Sequence, residues 1–432
     1  MTNPESVLLK YGNSSVTIDV SNARSVTHLQ GKELLPIRDL KAEFKEAVTV
    51  NTVDSEPLDK LLSPTDFVTI VVSDITRFWM RQDLICQELV DFLHTQNHIP
   101  YENMVILVAL GTHRGHSEDE QKKVVGEEVY NKVKVLNHDG QAADLAFVGT
   151  TKRGTEVWVN PLAIGRKVIL IGGTVHHLMA GFGGGRKSIL PGISGKRTIE
   201  QNHLLCLDPE LPRSSTAIGC AVLSGNPVHE DMMEAARMVS PAFGINIIST
   251  PEGKHSHIIC GAWEKAWTKS CEIVHEAFSI PIKEKADIVI ASCGGYPKDI
   301  NLYQGIKTLL NMSYAVKQGG TMIFLAECSE GGGSPDFFDW RIPLKDGILD
   351  KALRDSFSIA GYIFYAGCEA ISKGKVFMLT SFSKDLSKDA LKDMNISAYS
   401  DLNELLSQID VTDKSVYVMP YGGNVLPWSD PA

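Results

Sequence analysis

The chain has 432 residues, enough for about two to three domains, and this length excludes a small scaffold that depends on disulfides for its stability. Its 42 Lys and Arg residues and 52 Asp and Glu residues give a net charge of −10, which disfavours a broad surface for nucleic acid or for anionic membranes. With 43% hydrophobic and 22% charged residues, the composition is that of an ordinary globular protein and argues against a disordered chain or a fibre.

The sequence predicts neither a membrane-spanning segment nor a secretion signal. No apolar run approaches the roughly 20 residues that cross a bilayer, and residues 1–10 lack the basic region and the long apolar stretch of a signal peptide. The eight cysteines never form a CxxC pair, so we expect reduced, mostly buried thiols rather than a zinc ribbon or a dithiol redox site. The expected location is the cytoplasm.

Six short runs of β-branched and other apolar residues predict strands that are buried on both faces of a sheet. They are Phe67–Val72, Met104–Leu110, Lys167–Ile171, Asp287–Ala291, Thr321–Leu325 and Lys375–Leu379. Helical patterns separate several of these runs, as in residues 82–96, where apolar side chains recur on one helix face. Strands that alternate with helices indicate an α/β fold with mainly parallel sheets.

A helix followed by a charged, proline-containing connection, residues 263–285, is the expected hinge between two domains. The predicted N-terminal domain comprises residues 1–270, and the predicted C-terminal α/β domain comprises residues 280–411. The tail, residues 412–432, contains one more strand-like stretch and is a candidate to return to the N-terminal domain.

Polar and ionisable residues follow three strands of the predicted N-terminal domain. Asp74–Arg77 comes directly after the first strand, Gly111–Arg114 after the second, and Gly172–His177 after the third. Because ligands of open parallel sheets bind beyond the carboxyl ends of the strands, we expect these loops to share one cleft. Arg77, with Asp74 three residues before it, suits a clamp for a carboxylate or phosphate, and the alternative is a surface ion pair.

A glycine-rich segment, Gly181–Ser188, contains four glycines and the adjacent cations Arg186 and Lys187. It does not match the GxxxxGK[ST] phosphate loop, because Arg186 stands where that pattern needs glycine. Glycines still allow the backbone N–H groups to approach an anion, so the segment is a candidate site for a nucleotide phosphate. A flexible turn with solvated cations is the alternative.

Four histidines lie near this segment or at the same predicted sheet edge: His113, His176, His177 and His203. Two imidazoles can act as acid and base on opposite faces of one carbon, and imidazole also binds nickel, zinc and iron. The spacing matches no zinc signature, and the HExxH motif is absent from the sequence. Packed or surface positions remain the alternative for each histidine.

In the C-terminal domain, the segment Gly294–Lys307 opens with a glycine turn and then becomes helical in pattern. Gln304 and Lys307 are three residues apart and therefore share one helix face. This face could bind the acid group of a ligand, and a solvated helix face is the alternative.

Five ordered motifs resemble those of the nickel-pincer-nucleotide-dependent lactate racemase family. They are DITR at 74–77, GTHR at 111–114, His176-His177 with GGGRKSILPG at 183–192, TIEQNH at 198–203, and GGYPKDINLYQGIK at 294–307. The resemblance implies a two-domain α/β protein whose N-terminal domain binds the cofactor, with the active-site cleft between the domains. It also implies a Ni(II)-pyridinium-3,5-bisthiocarboxylate mononucleotide as cofactor, and the enzymes that synthesise this cofactor as partners.

By position in these motifs, Lys187 resembles the lysine joined covalently to the cofactor, and His203 resembles the protein ligand to nickel. His113 and His177 resemble the pair that donates and accepts the proton. His176, next to His177, is expected to have a supporting role.

The DITR motif falls where the family holds the nucleotide, which implies that Asp74, Ile75, Thr76 and Arg77 bind it. Arg77 would also face the substrate. Gln304 and Lys307 match the substrate-binding positions of the second domain.

The reaction that the resemblance implies is racemisation or epimerisation of a small 2-hydroxy acid by reversible hydride transfer from Cα, with two histidines as acid and base. The segment Phe78-Trp79-Met80 follows Arg77 where the family usually has proline, which leaves lactate or a larger analogue open as the substrate. A nucleotide-dependent transferase is a second hypothesis, and the incomplete phosphate loop counts against it. A non-catalytic nickel- or nucleotide-binding protein is a third, and the matching histidine pair counts against that one.

Overall fold

The computed structural model describes residues 6–383 and 385–428, and they form a mixed α/β protein with two six-stranded sheets. The strands are β1 Ser6–Tyr11, β2 Ser14–Asp19, β3 Ser25–His28, β4 Val68–Ser73, β5 Met104–Ala109, β6 Lys134–Asn137, β7 Ala146–Thr150, β8 Glu156–Val159, β9 Lys167–Gly173, β10 His176–His177, β11 Gly181–Phe182, β12 Phe243–Ser249, β13 His255–Gly261, β14 Ser279–Pro281, β15 Ala286–Ser292, β16 Val316–Leu325, β17 Gly374–Leu379, β18 Ile396–Tyr399, β19 Ser415–Met419 and β20 Leu426–Trp428. All six predicted strands are confirmed, with shifted ends.

The helices of the described residues alternate with these strands. The α-helices are α1 Leu40–Thr49, α2 Leu58–Leu61, α3 Gln82–Thr95, α4 Glu118–Val125, α5 Glu127–Lys132, α6 Lys196–Leu204, α7 Pro227–Val239, α8 Trp263–Phe278, α9 Leu302–Ala315, α10 Arg341–Lys345, α11 Leu349–Asp355, α12 Ile359–Ile371, α13 Lys388–Asp393 and α14 Leu402–Leu406. Short 3-10 helices lie at Ile75–Met80, Tyr101–Asn103, Pro161–Ala163, Gly185–Ser188 and Phe337–Trp340. No helix among the described residues is both long and apolar enough to cross a membrane.

The chain divides into two compact units. The first unit comprises residues 33–206 and 215–277, and the second comprises the described residues up to 32, residues 207–214 and the described residues from 278 onward. All eight cysteines are free thiols in the structure, and seven of them are buried, which confirms the burial expected for most of them.

The sheet of the first unit has the strand order β13-β12-β9-β4-β5-β6. The pairs from β12 to β6 are parallel, and only the edge strand β13 runs antiparallel to its neighbour. Strand β4 is buried on both faces, and Ile70 packs in one core with Leu89 of α3 and Phe44 of α1. Because β4 lies between β5 and β9, the polar loops that follow these three strands meet at one edge of the sheet.

The sheet of the second unit has the strand order β18-β17-β16-β15-β19-β3, and every pair in it is parallel. Helix α9 follows β15, packs on α12 and β16, and carries Gln304 and Lys307. These two sheets confirm the predicted α/β class with mainly parallel strands.

The membership of the two units corrects the sequence-based domains at both ends of the chain. The prediction placed residues 6–32 in the N-terminal domain, but β3 pairs with β19 and the β1 residues Val7 and Leu9 join the core of the second unit. The tail also lies in the second unit, because β19 pairs with β15 and β20 pairs with β14. Residues 1–5 and 429–432 of the predicted N-terminal domain and tail lie outside the described residues.

Candidate active site

The loop after β4 is organised by Asp74. Its Oδ1 caps the 3-10 helix Ile75–Met80 by accepting hydrogen bonds from the Thr76 N–H at 3.1 Å and from the Thr76 hydroxyl at 2.6 Å. Its Oδ2 contacts Nδ1 of His113, which follows β5. Asp74 is only 4% exposed, so this contact joins the loops of two neighbouring strands through a buried carboxylate.

Burial opposes ionisation of Asp74, but the hydrogen bond and charge of His113 and the charge of Arg77 outweigh it. The pKa of Asp74 therefore lies below its usual value. The sequence pattern predicted that Asp74 orients Arg77. In the structure, the direct partner of Asp74 is His113, and Arg77 instead donates from Nη1 to the Thr76 hydroxyl at 2.9 Å.

The Asp74 contact fixes which nitrogen of His113 can react. Nδ1 donates to the carboxylate, so Nε2 is the nitrogen at which the ring gains or loses its second proton. The side chain of His113 is 44% exposed, which leaves the ring accessible from solvent. An imidazole oriented by a carboxylate in this way has the arrangement of a general base.

Two residues that the sequence analysis missed hold this loop. The Ile75 N–H donates to Nε2 of buried His116 at 3.1 Å, and burial lowers the pKa of His116, which keeps the ring neutral and able to accept. Gln82 is fully buried and spans the end of β4, with Oε1 accepting from the Ser73 N–H at 3.1 Å and Nε2 donating to the Ser73 carbonyl at 2.6 Å. The three-residue spacing of His113 and His116 was the available signal in the sequence.

The structure brings His177 and Lys187 into direct contact. His177 lies in β10, which pairs with β11 in a short hairpin, and Lys187 lies in the 3-10 helix that follows. Nδ1 of His177 accepts from the N–H groups of Met179 and Ala180, both at 3.3 Å. Nε2 of His177 faces Nζ of Lys187 at 3.2 Å. His177 therefore uses Nδ1 as an acceptor, whereas His113 uses Nδ1 as a donor, and Nε2 of His177 points toward Lys187, the candidate tether of the cofactor.

His203 is buried on α6, with only 2% of its surface exposed. Nδ1 donates to the Ile199 carbonyl at 2.9 Å, so Nε2 is the nitrogen that carries the lone pair. Burial, followed by the charge of Lys187, lowers the pKa of His203 to about 3, and the ring is neutral near pH 7. A neutral imidazole whose other nitrogen donates to a carbonyl is the form that binds metal ions.

Among residues 6–383 and 385–428, no group of three or more His, Cys, Asp or Glu side chains is arranged to hold a metal ion. His176 packs its ring against Phe182, with 5.2 Å between ring centroids. Desolvation, with a smaller contribution from His275, lowers the pKa of His176 to about 3. His176 is therefore a packed side chain, and its supporting role stays a prediction.

Two glycines of the glycine-rich segment have backbone conformations that disfavour other residues. Gly184 has a φ of +71°, and a Cβ there would lie 3.0 Å from the Gly173 carbonyl oxygen. Gly185 has a φ of +53°, and a Cβ there would overlap the indole of Trp267. Arg186 in the same segment is fully buried. The alternative of a flexible turn with solvated cations is therefore wrong for Arg186.

In the second unit, Asn301 caps α9 by accepting from the Gln304 N–H at 3.0 Å. Nζ of Lys307 donates to Oε1 of Gln304 at 2.7 Å, so the two side chains share one face, as their spacing predicted. The amide orients the ammonium group by this bond, which gives one pair of donors for an anionic group.

Both halves of the chain match known domain families. Residues 11–213 match the lactate racemase N-terminal domain, and residues 282–426 match the lactate racemase C-terminal domain. The chain is 31% identical over 430 residues to a lactate racemase of Thermoanaerobacterium thermosaccharolyticum, an alignment that covers 97% of this chain and 98% of that protein. It is 32% identical over 307 residues to a lactate racemase of Lactiplantibacillus plantarum, with 70% of each chain covered.

Solved structures are also similar to this chain. The structure of the lactate racemase apoprotein from Thermoanaerobacterium thermosaccharolyticum matches with a TM-score of 0.85 at 29% identity, and the match covers 98% of this chain and 100% of that one. A crystal structure of a Thermotoga maritima protein matches with a TM-score of 0.64 at 20% identity, over 92% of this chain and 100% of that one, and shares the fold.

Proposed function

Since the chain belongs to the lactate racemase family and is therefore an isomerase, we propose that it interconverts the enantiomers of lactate or of a larger 2-hydroxy acid. The observation that carries this proposal is the complementary setting of His113 and His177. Nδ1 of His113 donates to Asp74, so Nε2 of the neutral ring carries the lone pair of a base, whereas Nδ1 of His177 accepts from two backbone N–H groups, so Nε2 of the neutral ring carries the proton of an acid. A racemase needs one acid–base group for each face of the substrate carbon.

The loops that carry these histidines are joined at the same edge of the first sheet. The Gly111 N–H, two residues before His113, donates to the Gly192 carbonyl at 2.9 Å. Gly192 in turn donates to the carbonyl of Lys187 at 3.0 Å. The backbone therefore links the loop of one proposed base to the segment that contacts the other, which supports a shared site.

The residues of the first unit fit a nickel-pincer nucleotide. His203 offers a neutral imidazole with Nε2 as the donor atom, which suits a metal whose remaining ligands come from a bound group. We propose that Lys187 forms the covalent attachment and that Asp74, Ile75, Thr76 and Arg77 bind the nucleotide. When bound, the cofactor would supply the acceptor for hydride from the substrate Cα.

The histidines would move the hydroxyl proton. With the cofactor bound as hydride acceptor, one histidine would take that proton from one enantiomer, and the substrate would become a planar 2-oxo acid. On the other face, the second histidine would donate a proton to the oxygen, and the opposite enantiomer would form. Each histidine is thus the base in one direction and the acid in the other.

We propose that Arg77, Gln304 and Lys307 bind the substrate carboxylate. Lys307→Ala should weaken substrate binding by about 1.5–3 kcal/mol, or roughly 10-fold to 150-fold in KM, because a hydrogen bond to a charged group is lost. Steady-state kinetics on the loaded enzyme measure this effect. Lys345→Ala, at a lysine of the same unit that is 62% exposed, should leave KM unchanged. An unchanged KM in Lys307→Ala would favour the solvated helix face instead.

His203→Ala should keep the nucleotide on Lys187 but lower the bound nickel by at least about tenfold, because the proposed protein ligand is removed. Metal analysis of the purified variant, together with its intact mass, measures both quantities. His257→Ala, in the edge strand β13, is the matched control and should retain nickel. A nickel content equal to that of the wild type in His203→Ala would contradict the role of this histidine.

The proposed partners are a small-molecule 2-hydroxy acid and the enzymes that make the cofactor, and the proposed location is the cytoplasm. The free state of the eight cysteines supports a reducing compartment. The experiment that tests the whole proposal compares protein produced with and without the cofactor-synthesis enzymes. Only the first preparation should show a nucleotide mass on Lys187 and racemise a panel of single-enantiomer hydroxy acids.

A further inference from the structure

Arg186, the residue before the candidate tether Lys187, is a buried cation. Its side chain is 0% exposed, and no carboxylate among the described residues pairs with it. Burial lowers the pKa of Arg186 to about 9, which still leaves the guanidinium charged near pH 7. Burying an unpaired charge is costly, so other groups must stabilise the guanidinium in this position.

Backbone carbonyls and one aromatic ring supply that stabilisation. Nη1 of Arg186 donates to the Phe182 carbonyl at 2.8 Å, and Nη2 donates to the Ala180 carbonyl. The guanidinium carbon lies 4.0 Å from the ring centroid of Trp267, within the range of a cation–π interaction. The cation therefore holds one strand of the β10-β11 hairpin on one side and the indole on the other.

Trp267 is itself fixed to the glycine-rich segment. Its Nε1 donates to the Gly183 carbonyl at 2.8 Å, and its ring occupies the space that a side chain at Gly185 would need. One turn further along α8, the Ser270 hydroxyl bonds to the Thr174 hydroxyl at 2.7 Å, just after β9. Helix α8 thus contacts this segment through both the indole and the end of the strand that precedes the hairpin.

Ala180 connects Arg186 to His177, and Arg186 directly precedes Lys187 in the chain. Ala180 donates its N–H to Nδ1 of His177 and accepts from Arg186 through its carbonyl. We propose that Arg186 is a positioning residue that fixes the relative placement of His177 and Lys187 through these carbonyls. This inference rests on the proposed function, which is what gives His177 and Lys187 their roles.

The chemistry of the contact requires a guanidinium. Its planar fork reaches two carbonyls while its flat face stacks on the indole, whereas a lysine ammonium is a single point of charge on a flexible stem. A lysine ammonium has three donors but no planar fork and no flat face, so lysine at position 186 would not reproduce both carbonyl bonds together with the stacking on the indole. Arg186→Lys should therefore behave like a loss of function rather than a conservative change.

The test uses the full chain and four variants: Arg186→Met, Arg186→Lys, Trp267→Phe and the control Arg197→Met. Trp267→Phe keeps an aromatic ring but loses the hydrogen bond to the Gly183 carbonyl. The side chain of Arg197 is 70% exposed on the neighbouring helix α6. Hydrogen exchange of residues 175–190 in the unloaded protein measures the order of the hairpin. The rate at which purified nickel-pincer nucleotide adds to Lys187, and kcat and KM per loaded enzyme, measure the consequence.

We expect faster exchange and slower addition in both Arg186 variants. Their kcat per loaded enzyme should fall by about 10-fold to 100-fold with an unchanged KM, because misplacement of a reacting group by about 1 Å has an effect of that size. Trp267→Phe should shift these quantities in the same direction by less, and Arg197→Met should match the wild type. A residue that only stabilises the fold would lower the melting temperature and leave kcat per loaded enzyme unchanged.

A folded Arg186→Met enzyme with the exchange pattern and kcat of the wild type would overturn the proposal. If Arg186→Met does not fold, Trp267→Phe decides, because an unchanged kcat and unchanged exchange in that variant would also overturn it. If the wild type neither acquires the nucleotide nor racemises any hydroxy acid, the proposed function has failed. The exchange measurements on unloaded protein then still decide whether Arg186 orders the hairpin that carries His177.

Discussion

Replacing either His113 or His177 with alanine should stop racemisation in both directions. Each histidine is the proposed base for one enantiomer and the proposed acid for the other, so neither direction can be completed without both. General acid–base catalysis contributes roughly 10²-fold to 10⁴-fold to a rate, so the turnover number should decrease by a factor in that range. Racemisation of each pure enantiomer, followed by chiral chromatography, measures this loss, and His257→Ala serves as the control.

A partial reaction should survive in each of these variants. With one base left, one enantiomer can still be oxidised to the bound 2-oxo acid and re-formed by return of hydride to the same face. His113→Ala and His177→Ala should therefore each form oxo acid in a single turnover from one enantiomer, and from opposite ones. Formation of oxo acid from the same enantiomer in both variants would contradict the assignment of the two faces.

The fate of the Cα hydrogen in the wild-type reaction is a second test of the proposed hydride transfer. If Cα hydrogen leaves as hydride and returns, the product formed in heavy water should retain the original hydrogen. Mass spectrometry of the product measures this retention. Extensive deuterium at Cα would indicate proton exchange with solvent, and hydride transfer would then have to be abandoned.

Lys187→Ala should abolish covalent attachment of the cofactor, because the proposed amine nucleophile is removed. We also expect activity to fall by at least about 100-fold, since an untethered group loses the advantage of fixed position. Peptide mass mapping after production with the cofactor-synthesis enzymes measures the adduct directly. Lys196→Ala, at an exposed lysine that begins α6, should retain it.

The variant Lys187→Arg distinguishes the covalent attachment at residue 187 from the positive charge of its side chain. It keeps a cation beside Nε2 of His177, but a guanidinium is protonated near neutral pH and does not act as a nucleophile. The variant should therefore fold like the wild type and carry no adduct. An adduct that mapped to Lys152, Lys196 or another lysine in the wild type would refute the role of Lys187.

The elements that could be predicted from the sequence are those with local signals. The apolar run that forms β4 predicted the strand, and the parallel pairing of β4 with β5 and β9 brings the polar residues that follow these strands to one sheet edge, as expected. Gln304 and Lys307 shared a helix face because their spacing alone decides it. The catalytic, tethering and ligand roles rest on motif resemblance and stay predictions.

The features that escaped prediction depend on contacts between residues distant in the sequence. The burial of Arg186 is decided by Trp267 on α8, which no local pattern connects to it. The partner of Asp74 is His113 rather than Arg77, because the pairing of β4 with β5 brings their loops together. The same reason explains the placement of β3, whose partner strand β19 comes near the other end of the chain.

This pairing of β3 with β19 constrains the order in which the protein can form during synthesis. Ser25 lies opposite Ser415, so β3 leaves the ribosome long before the strand with which it pairs exists. The continuous segments of the first unit are complete by Ala277 and can begin to pack earlier, since domains generally fold as units during translation. Until β19 emerges, β3 has an unpaired edge, and an unpaired edge strand is a site of aggregation. Conditions that slow translation late in the chain should therefore reduce the soluble yield more than conditions that slow it early.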